Sequence, residues 1–451
     1  MQGQEIAGLR SGLSELSRAQ AMGRVRGADG AVIWVDGLSD IAALGDRVRI
    51  EREGSPLFAE IVRLTSETTA CLPEGPAEGV SQGLSVLHHG APTLAPSDGW
   101  IGRVVDPLGR PLDGRPLLPG PVRRPFQAAP PPATERRPLG PRLSTGLALF
   151  NTILPLVTGQ RIGLFAGSGV GKSHLLADLA RGVDSDVVVL GLVGERSREL
   201  RHFTESVLGP EGMARSVVVA TTSDRSPQER RRCADAAMTV AEHFRDSGRN
   251  VLLLVDSVTR FAEAHRDVAL SSGEMASLRG FPASTAQRLM SLSERAGPGA
   301  GGQGDITAIF SVLVAGSDMD EPVADILRGS LDGHVILSRD IAERGRFPAV
   351  DVLRSVSRAL PDAASSAENA VIQRVRQLLG SYYGAEAMIR AGLYRDGSDA
   401  KVDDALRSHA ALEAFFSLRE TVAPAESFQG LRLLLRRSGV SDGTAPDRSR
   451  G

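Results

Sequence analysis

Eight consecutive residues, Ala166-Gly-Ser-Gly-Val-Gly-Lys-Ser173, limit what this chain can fold into more than any others. They follow an apolar run at 162–165 and precede His174, Leu175 and Leu176. A glycine-rich turn that joins a buried strand to a helix lets backbone N–H groups converge on phosphate oxygens, and the helix N-terminus adds partial positive charge. Gly167, Gly169 and Gly171 leave out the Cβ atoms that would block close approach or positive φ angles. The pattern predicts a phosphate-binding loop, with Ala166, Gly167, Ser168, Gly169, Val170, Gly171, Lys172 and Ser173 as the candidate contacts. Ala166 stands where the strict pattern has glycine, so the match is to its Ala-or-Gly form.

Lys172 also stands out by composition. The chain has 52 basic residues, and all except Lys172 and Lys401 are arginine. A lysine here marks a place where a compact point charge fits and a planar guanidinium does not. Its expected role is to neutralise the β- and γ-phosphates, with the Ser173 hydroxyl on Mg²⁺. Two carboxylates end apolar runs elsewhere: Asp256 after 251–255 and Glu195 after 187–194. In a parallel sheet every carboxyl end lies on the phosphate side, so both acids are expected in one crevice. Asp256 is the expected Mg²⁺ partner opposite Ser173, and Glu195 the group that orients and polarises an attacking water.

Along the rest of the chain, Ile6, Leu9, Leu13 and Leu16 form a narrow apolar stripe weakened by Gly8 and Gly12, a segment too marginal to hold a helix alone. From 22 to 94 the period becomes two, with short strands at 23–26, 31–35, 46–51 and 59–64 between Gly/Asp turns, the pattern of a small all-β barrel. Nine prolines between Pro116 and Pro141 mark an ordered crossing over the surface of the next domain. Apolar strands at 162–165, 187–193, 216–220, 251–255, 306–314 and 335–337 then alternate with helices, which indicates a parallel sheet covered on both faces. Beyond about 367 only helical patterns remain. The expected organisation is an amphipathic segment 1–21, a β-barrel 22–94, an α/β domain 95–366, an all-helical domain 367–437 and a disordered tail 438–451.

Composition narrows the function further. With 52 basic against 54 acidic residues and a formal charge of −2, the chain lacks the basic excess of a nucleic-acid binder, and Arg230, Arg231 and Arg232 are expected on a solvated helix face. Cys71 and Cys233 are too few and too far apart for a disulfide framework or a zinc site, which suits a reducing cytosol. The first 21 residues mix charges into their apolar positions, unlike a signal peptide, and the longest apolar run, 187–193, is far too short to span a membrane.

The phosphate loop, Gly194-Glu-Arg-Ser-Arg-Glu199, Ser223-Asp-Arg-Ser-Pro227, Leu254-Val-Asp-Ser-Val-Thr-Arg-Phe261, Glu294-Arg-Ala-Gly297, Leu331-Asp-Gly-His334, Leu337-Ser-Arg339 and Ser355-Val-Ser-Arg358 occur in one order. That order resembles the ATPases of flagellar and type III protein export, themselves similar to the catalytic β subunit of rotary ATP synthases. The resemblance spans roughly 20–437 and implies a RecA-like P-loop NTPase core, with ATP and Mg²⁺ bound between subunits of a hexameric ring. Position by position it makes Lys172 and Ser173 phosphate and Mg²⁺ ligands, Glu195 the catalytic carboxylate and Asp256 the Walker-B acid. Arg196 and Arg260 match arginines around the γ-phosphate, Arg358 the finger that enters a neighbour's site, and Phe347 the aromatic that flanks adenine. The implied protein is a cytoplasmic Mg-ATP hydrolase, peripheral to an inner-membrane export gate, that energises export of flagellar proteins. Implied partners are further copies of itself, a stator-like regulator dimer on the N-terminal segment, a central stalk-like protein, gate membrane proteins, and export substrates with their chaperones, but no nucleic acid.

The injectisome branch of type III secretion carries the same motifs and stands beside the flagellar reading. A rotary synthase β subunit carries an acidic lever, Asp-Glu-Leu-Ser-Glu-Glu-Asp, that is absent from 367–437. A ring-shaped RNA translocase needs stacking aromatics in its barrel, where 22–94 holds only Trp34 and Phe58. A non-hydrolysing ring subunit is disfavoured by the joint presence of Lys172, Glu195 and Asp256.

Overall fold

The structure is a computed structural model that describes residues 20–314 and 319–443. The stripe Ile6, Leu9, Leu13 and Leu16 lies outside the described residues. Strands β1 (Met22–Asp29), β2 (Val32–Asp36), β3 (Arg47–Ile50), β4 (Leu57–Leu64), β5 (Thr68–Pro73) and β6 (Ser85–Gly90) close into an antiparallel barrel in the order β1-β2-β5-β4-β3-β6. Its interior is filled by alternate residues, among them Val25, Ile33, Val35, Val48, Ile50, Ala59 and Ile61. β5 escapes the period-two reading because Thr68, Thr69, Ala70, Cys71 and Leu72 are all buried. The start of helix Pro227–Asp246 lies against it, and Gln228 Nε2 donates to the carbonyls of Leu72 at 2.9 Å and Pro73 at 3.0 Å. A strand covered on both sides has no reason to alternate.

The same contact overturns the expectation for the basic cluster. Arg232 is 5% exposed, not solvated, and bonds Glu60 at 3.0 Å and Glu74 at 2.8 Å, while Arg231 takes the other oxygen of Glu60. Arg47 holds Glu74 from the barrel side at 2.6 Å. Both carboxylates belong to the barrel, more than a hundred and fifty residues away, so no local pattern reveals the pairing.

The proline-rich crossing is laid down as ordered chain. β7 (Thr93–Leu94) pairs with β9 (Arg124–Pro125), Phe126 is buried, and Arg137 reaches Asp305 at 2.5 Å. Between them β8 (Arg103–Val105) joins the main sheet, which continues with β10 (Arg161–Ala166), β11 (Val187–Glu195), β12 (Ser216–Thr222), β13 (Val251–Asp256), β14 (Ile306–Leu313), β15 (Gly333–Leu337) and β16 (Val356–Ser357). The order is β16-β15-β10-β14-β13-β11-β12-β8, parallel except for β16. β8 and β16 are too short to carry a period, and the sequence does not announce them. Within β11, Val188, Leu190 and Leu192 face one core with Leu175, Leu176 and Leu179, while Val187, Val189 and Val193 face another with Cys233, Ala237 and Phe244.

Helices Ser366–Arg390, Ala400–Phe416 and Pro424–Arg437 follow. Their Leu412, Phe415 and Phe416 share one core with Leu147, Leu149 and Phe150, so the helical region is packed onto the α/β domain. The expected disordered tail is corrected at its start. Gly439, at φ +69, lets Val440 N–H return to Leu435 O and its own N–H to Arg436 O, a Schellman turn that buries Val440. Asp442 then pairs with Arg436 at 3.0 Å. Among the described residues no helix is long and apolar enough to cross a membrane.

Candidate active site

The phosphate loop leaves the carboxyl end of β10 and opens helix Lys172–Gly182. Gly171, the residue before the helix, sits at φ +85, where any other side chain would be strained. Gly167 is different: a Cβ there would meet Val314 O at 3.8 Å, an ordinary contact, so the turn itself does not demand glycine. Lys172, on the first helical turn, reaches over the intervening β14 and bonds Asp256 Oδ1 at the end of β13. Ser311 Oγ donates to the same oxygen at 2.6 Å, and Asp256 is buried at 4% exposure. Ser173 is exposed toward the same cavity.

Glu195 is aimed by its backbone. Gly194 adopts φ +65 and the register of β11 against β12 slips between Val193 and Glu195, a β-bulge that re-aims the carboxylate at the strand end. A Cβ at Gly194 would also come within 3.2 Å of Arg230 Cδ. Ser257 caps helix Val258–Ser271 by accepting from Arg260 N, which sets Arg260 on the first turn. The Arg260 guanidinium donates to Gly194 O and lies 3.7 Å from Glu195. Burial, and next the negative charge of Asp256, push the Glu195 carboxyl up to about 7 against the pull of Arg260 and Lys172. A side-chain hydrogen bond with Glu199 favours the proton further. A carboxylate that is half-ionised near neutrality is suited to general-base work.

Lys172, Ser173, Glu195, Asp256, Arg260 and Phe347 line one cavity of about 890 Å³, within the range of small-molecule sites. A second cavity, about 310 Å³, adjoins it between Gly171, His174, Asp178, Phe347 and Arg419. Phe347 is half-exposed there and lies against the loop so closely that a Cβ at Gly171 would sit 3.0 Å from its ring.

Residues 146–357 match the model for the ATP synthase alpha/beta family, nucleotide-binding domain, and residues 364–432 that for the type III secretion EscN ATPase C-terminal domain. The flagellum-specific ATP synthase of Caulobacter vibrioides is 44% identical over 404 residues, 88% of this chain and 91% of the relative. The type 3 secretion system ATPase of Pseudomonas syringae pv. tomato is 42% identical over 429 residues, 93% and 95% of the two chains. The assembled ATPase EscN of enteropathogenic E. coli superposes with TM-score 0.84 at 35% identity, covering 92% of this chain and all of that one. A structure of EscN with its central stalk EscO gives 0.83 at the same identity and coverage. The chain belongs to the flagellar and type III export ATPase family.

This export ATPase has a RecA-like core and hydrolyses ATP, as its family does. Two of its expected site residues do not join the crevice. Arg196 is 77% exposed at its side chain and does not line the cavity, although it pairs at 2.9 Å with Glu199, which does. Arg358 lies at the opposite end of the sheet: its N–H bonds Asp332 O, and Asp332 N–H bonds Arg161 O at the start of β10. The phosphate loop leaves that strand five residues later, about 16 Å away at strand rise. Arg358 is exposed, with Nη2 on Arg328 O at 3.2 Å. Sequence reasoning gave no role to Glu199, to Ser311, or to Arg339, whose Nη2 donates to Ser168 O at 3.3 Å. Ser311 did carry a signal, one of two hydroxyls, with Thr307, in an otherwise apolar strand.

Proposed function

We propose that this export ATPase hydrolyses Mg²⁺-bound ATP in the 890 Å³ crevice and so energises the export of flagellar proteins. The observation that carries the reading is the convergence of Lys172, Glu195, Asp256 and Arg260 at the mouth of a glycine-rich loop. Backbone N–H groups of 166–173 and the Lys172 charge hold the phosphates, and Glu195, with its carboxyl near 7, takes the proton of the attacking water. Arg260 keeps Glu195 in place and adds positive charge beside it. Ser173 and Asp256 offer the hard oxygen donors that suit Mg²⁺, which would supply charge neutralisation between the phosphates. Phe347 would flank adenine from the second cavity. Arg196, turned out of the crevice, has no part in this reading.

Arg358 lies too far from its own loop to serve it, which supports a role in the site of a neighbouring copy in a ring of six. The solved complex of EscN with its central stalk supports a stalk-like partner for this chain. The N-terminal stripe is assigned to a stator-like regulator that brings the ATPase to the membrane face of an export gate, where it meets substrates and their chaperones. Flagellum-specific relatives are 39–44% identical and type 3 secretion ATPases 40–42%, so the injectisome branch stands as a near alternative to the flagellar reading. Deletion of the gene should abolish secretion of filament protein and motility, restored by the parent chain and not by Lys172→Ala. Intact filaments alongside lost effector secretion would instead assign it to the injectisome.

A further inference from the structure

The loop that carries Phe347 is tied to the helical domain by a buried arginine. Arg346, 7% exposed, donates through Nη1 to Pro348 O at 3.2 Å and through Nη2 to Val350 O at 2.7 Å. Its Nε lies 2.9 Å from Glu413 Oε2, on helix Ala400–Phe416, and its guanidinium sits 5.6 Å from the Phe416 ring centre. Arg346 precedes Phe347 and its fork closes on the chain just beyond it, one arm on Pro348 and one on Val350. Meanwhile Ala349 O accepts from Ser338 N at 2.8 Å, so the loop has a fixed edge on the sheet and an adjustable one on Glu413.

That joint is loosely filled. A cavity of about 360 Å³ opens beside it, lined by Arg344, Arg346, Tyr383, Glu386 and Glu413, and Glu413 Oε1 is buried without a hydrogen-bond partner. A charge pair whose Glu413 side is 25% exposed, with an unsatisfied oxygen and room beside it, is a contact that can be repositioned, unlike a close-packed core. Three residues past the end of that helix, Arg419 bonds Asp178 on the phosphate-loop helix at 2.8 Å and lines the second cavity. The helical domain therefore holds both walls of the place where the base would lie.

The geometry points to Arg346 and Glu413 as positioning residues: their pair sets where Phe347 stands against Gly171, and so gives the helical domain control over how tightly the base of the nucleotide is held. This rests on the reading of Phe347 as the adenine flank. Loss of the pair leaves Lys172, Asp256 and the loop amides untouched, so it should weaken the base contribution and spare the phosphate contribution.

The test compares ATP with inorganic tripolyphosphate, which lacks the base, by calorimetric titration of the full chain. In Glu413→Ala the preference for ATP over tripolyphosphate should fall about fivefold, with KM for ATP raised by a similar factor and kcat within about twofold. Glu413→Gln, which keeps an oxygen acceptor, should recover part of the preference. Arg346→Lys, which keeps the charge and loses the fork, should lower it as Glu413→Ala does. Phe347→Ala should lower it too and make Glu413→Ala silent when the two are combined. An unchanged preference in both Glu413→Ala and Arg346→Lys, with a lowered one in Phe347→Ala, overturns the positioning role alone. An unchanged preference in Phe347→Ala overturns the adenine reading beneath it.

Discussion

Glu195 holds its proton to about pH 7 because burial and the Asp256 charge both oppose ionisation, and that gives two consequences of opposite sign. With Glu195 as the proposed base, the carboxylate form is the active one, so kcat/KM for ATP should rise with pH through about 7, and this limb should vanish in Glu195→Gln along with at least about a hundredfold of kcat. Nucleotide affinity, measured by titration, should stay within about threefold, since the amide keeps the shape. Stability runs the other way. A carboxyl raised from 4.5 to about 7 binds more protons folded than unfolded between those values, so its contribution is full below 4.5 and is lost as pH rises through 7. Glu195→Gln should therefore raise the melting temperature more at pH 8 than at pH 5; equal shifts at both would show that Glu195 ionises normally. The acid was legible in the sequence as a strand-end Glu, whereas its altered ionisation was not, because Asp256, Lys172 and Arg260 reach it from other elements.

At the scale of elements, the phosphate loop and Arg358 leave the sheet at opposite ends. Strand β10 carries the loop at its carboxyl end, while β16 runs antiparallel and returns the chain to the amino end just before Arg358. With Arg358 in the proposed role in a neighbour's site, one copy does not complete its own, and specific activity should rise with protein concentration. Mixing inactive Arg358→Ala and Lys172→Ala chains should restore part of the activity, because some interfaces pair an intact loop with an intact arginine. Mixed assemblies proven to hold both chains and still inactive would rule out action between copies. The long apolar strands could be read from composition alone. β8 and β16 could not, since strands of three and two residues exist only through the partner that pairs with them.

The whole molecule adds the seating of the barrel on the α/β domain. Arg232 lies between Glu60 and Glu74 of the barrel, both well buried. Burial would raise the Glu74 carboxyl, and the bonds and charge of Arg47 and Arg232 outweigh it and hold it below the usual carboxylate range. Its contribution to stability is present above the unfolded value of 4.5 and is lost as pH falls below it. Arg232→Met strands two buried carboxylates with reduced compensation, so it should cost about 3 kcal/mol by chemical denaturation. Proteolysis between barrel and α/β domain should accelerate with it; an unchanged denaturation midpoint would show that the network contributes nothing to docking.

The local chemistry was legible from neighbouring residues: the glycine turn, the lysine of the loop, the strand-end acids and the alternation of the barrel strands are each written there through backbone geometry and period. Tertiary structure alone decided that Arg232 is buried, that Val440 folds back, that Arg358 faces away from its own loop and that Glu413 reaches the Phe347 loop through Arg346. Those outcomes depend on which distant residue supplies the opposing charge or the covering surface, and burial makes that partner decisive.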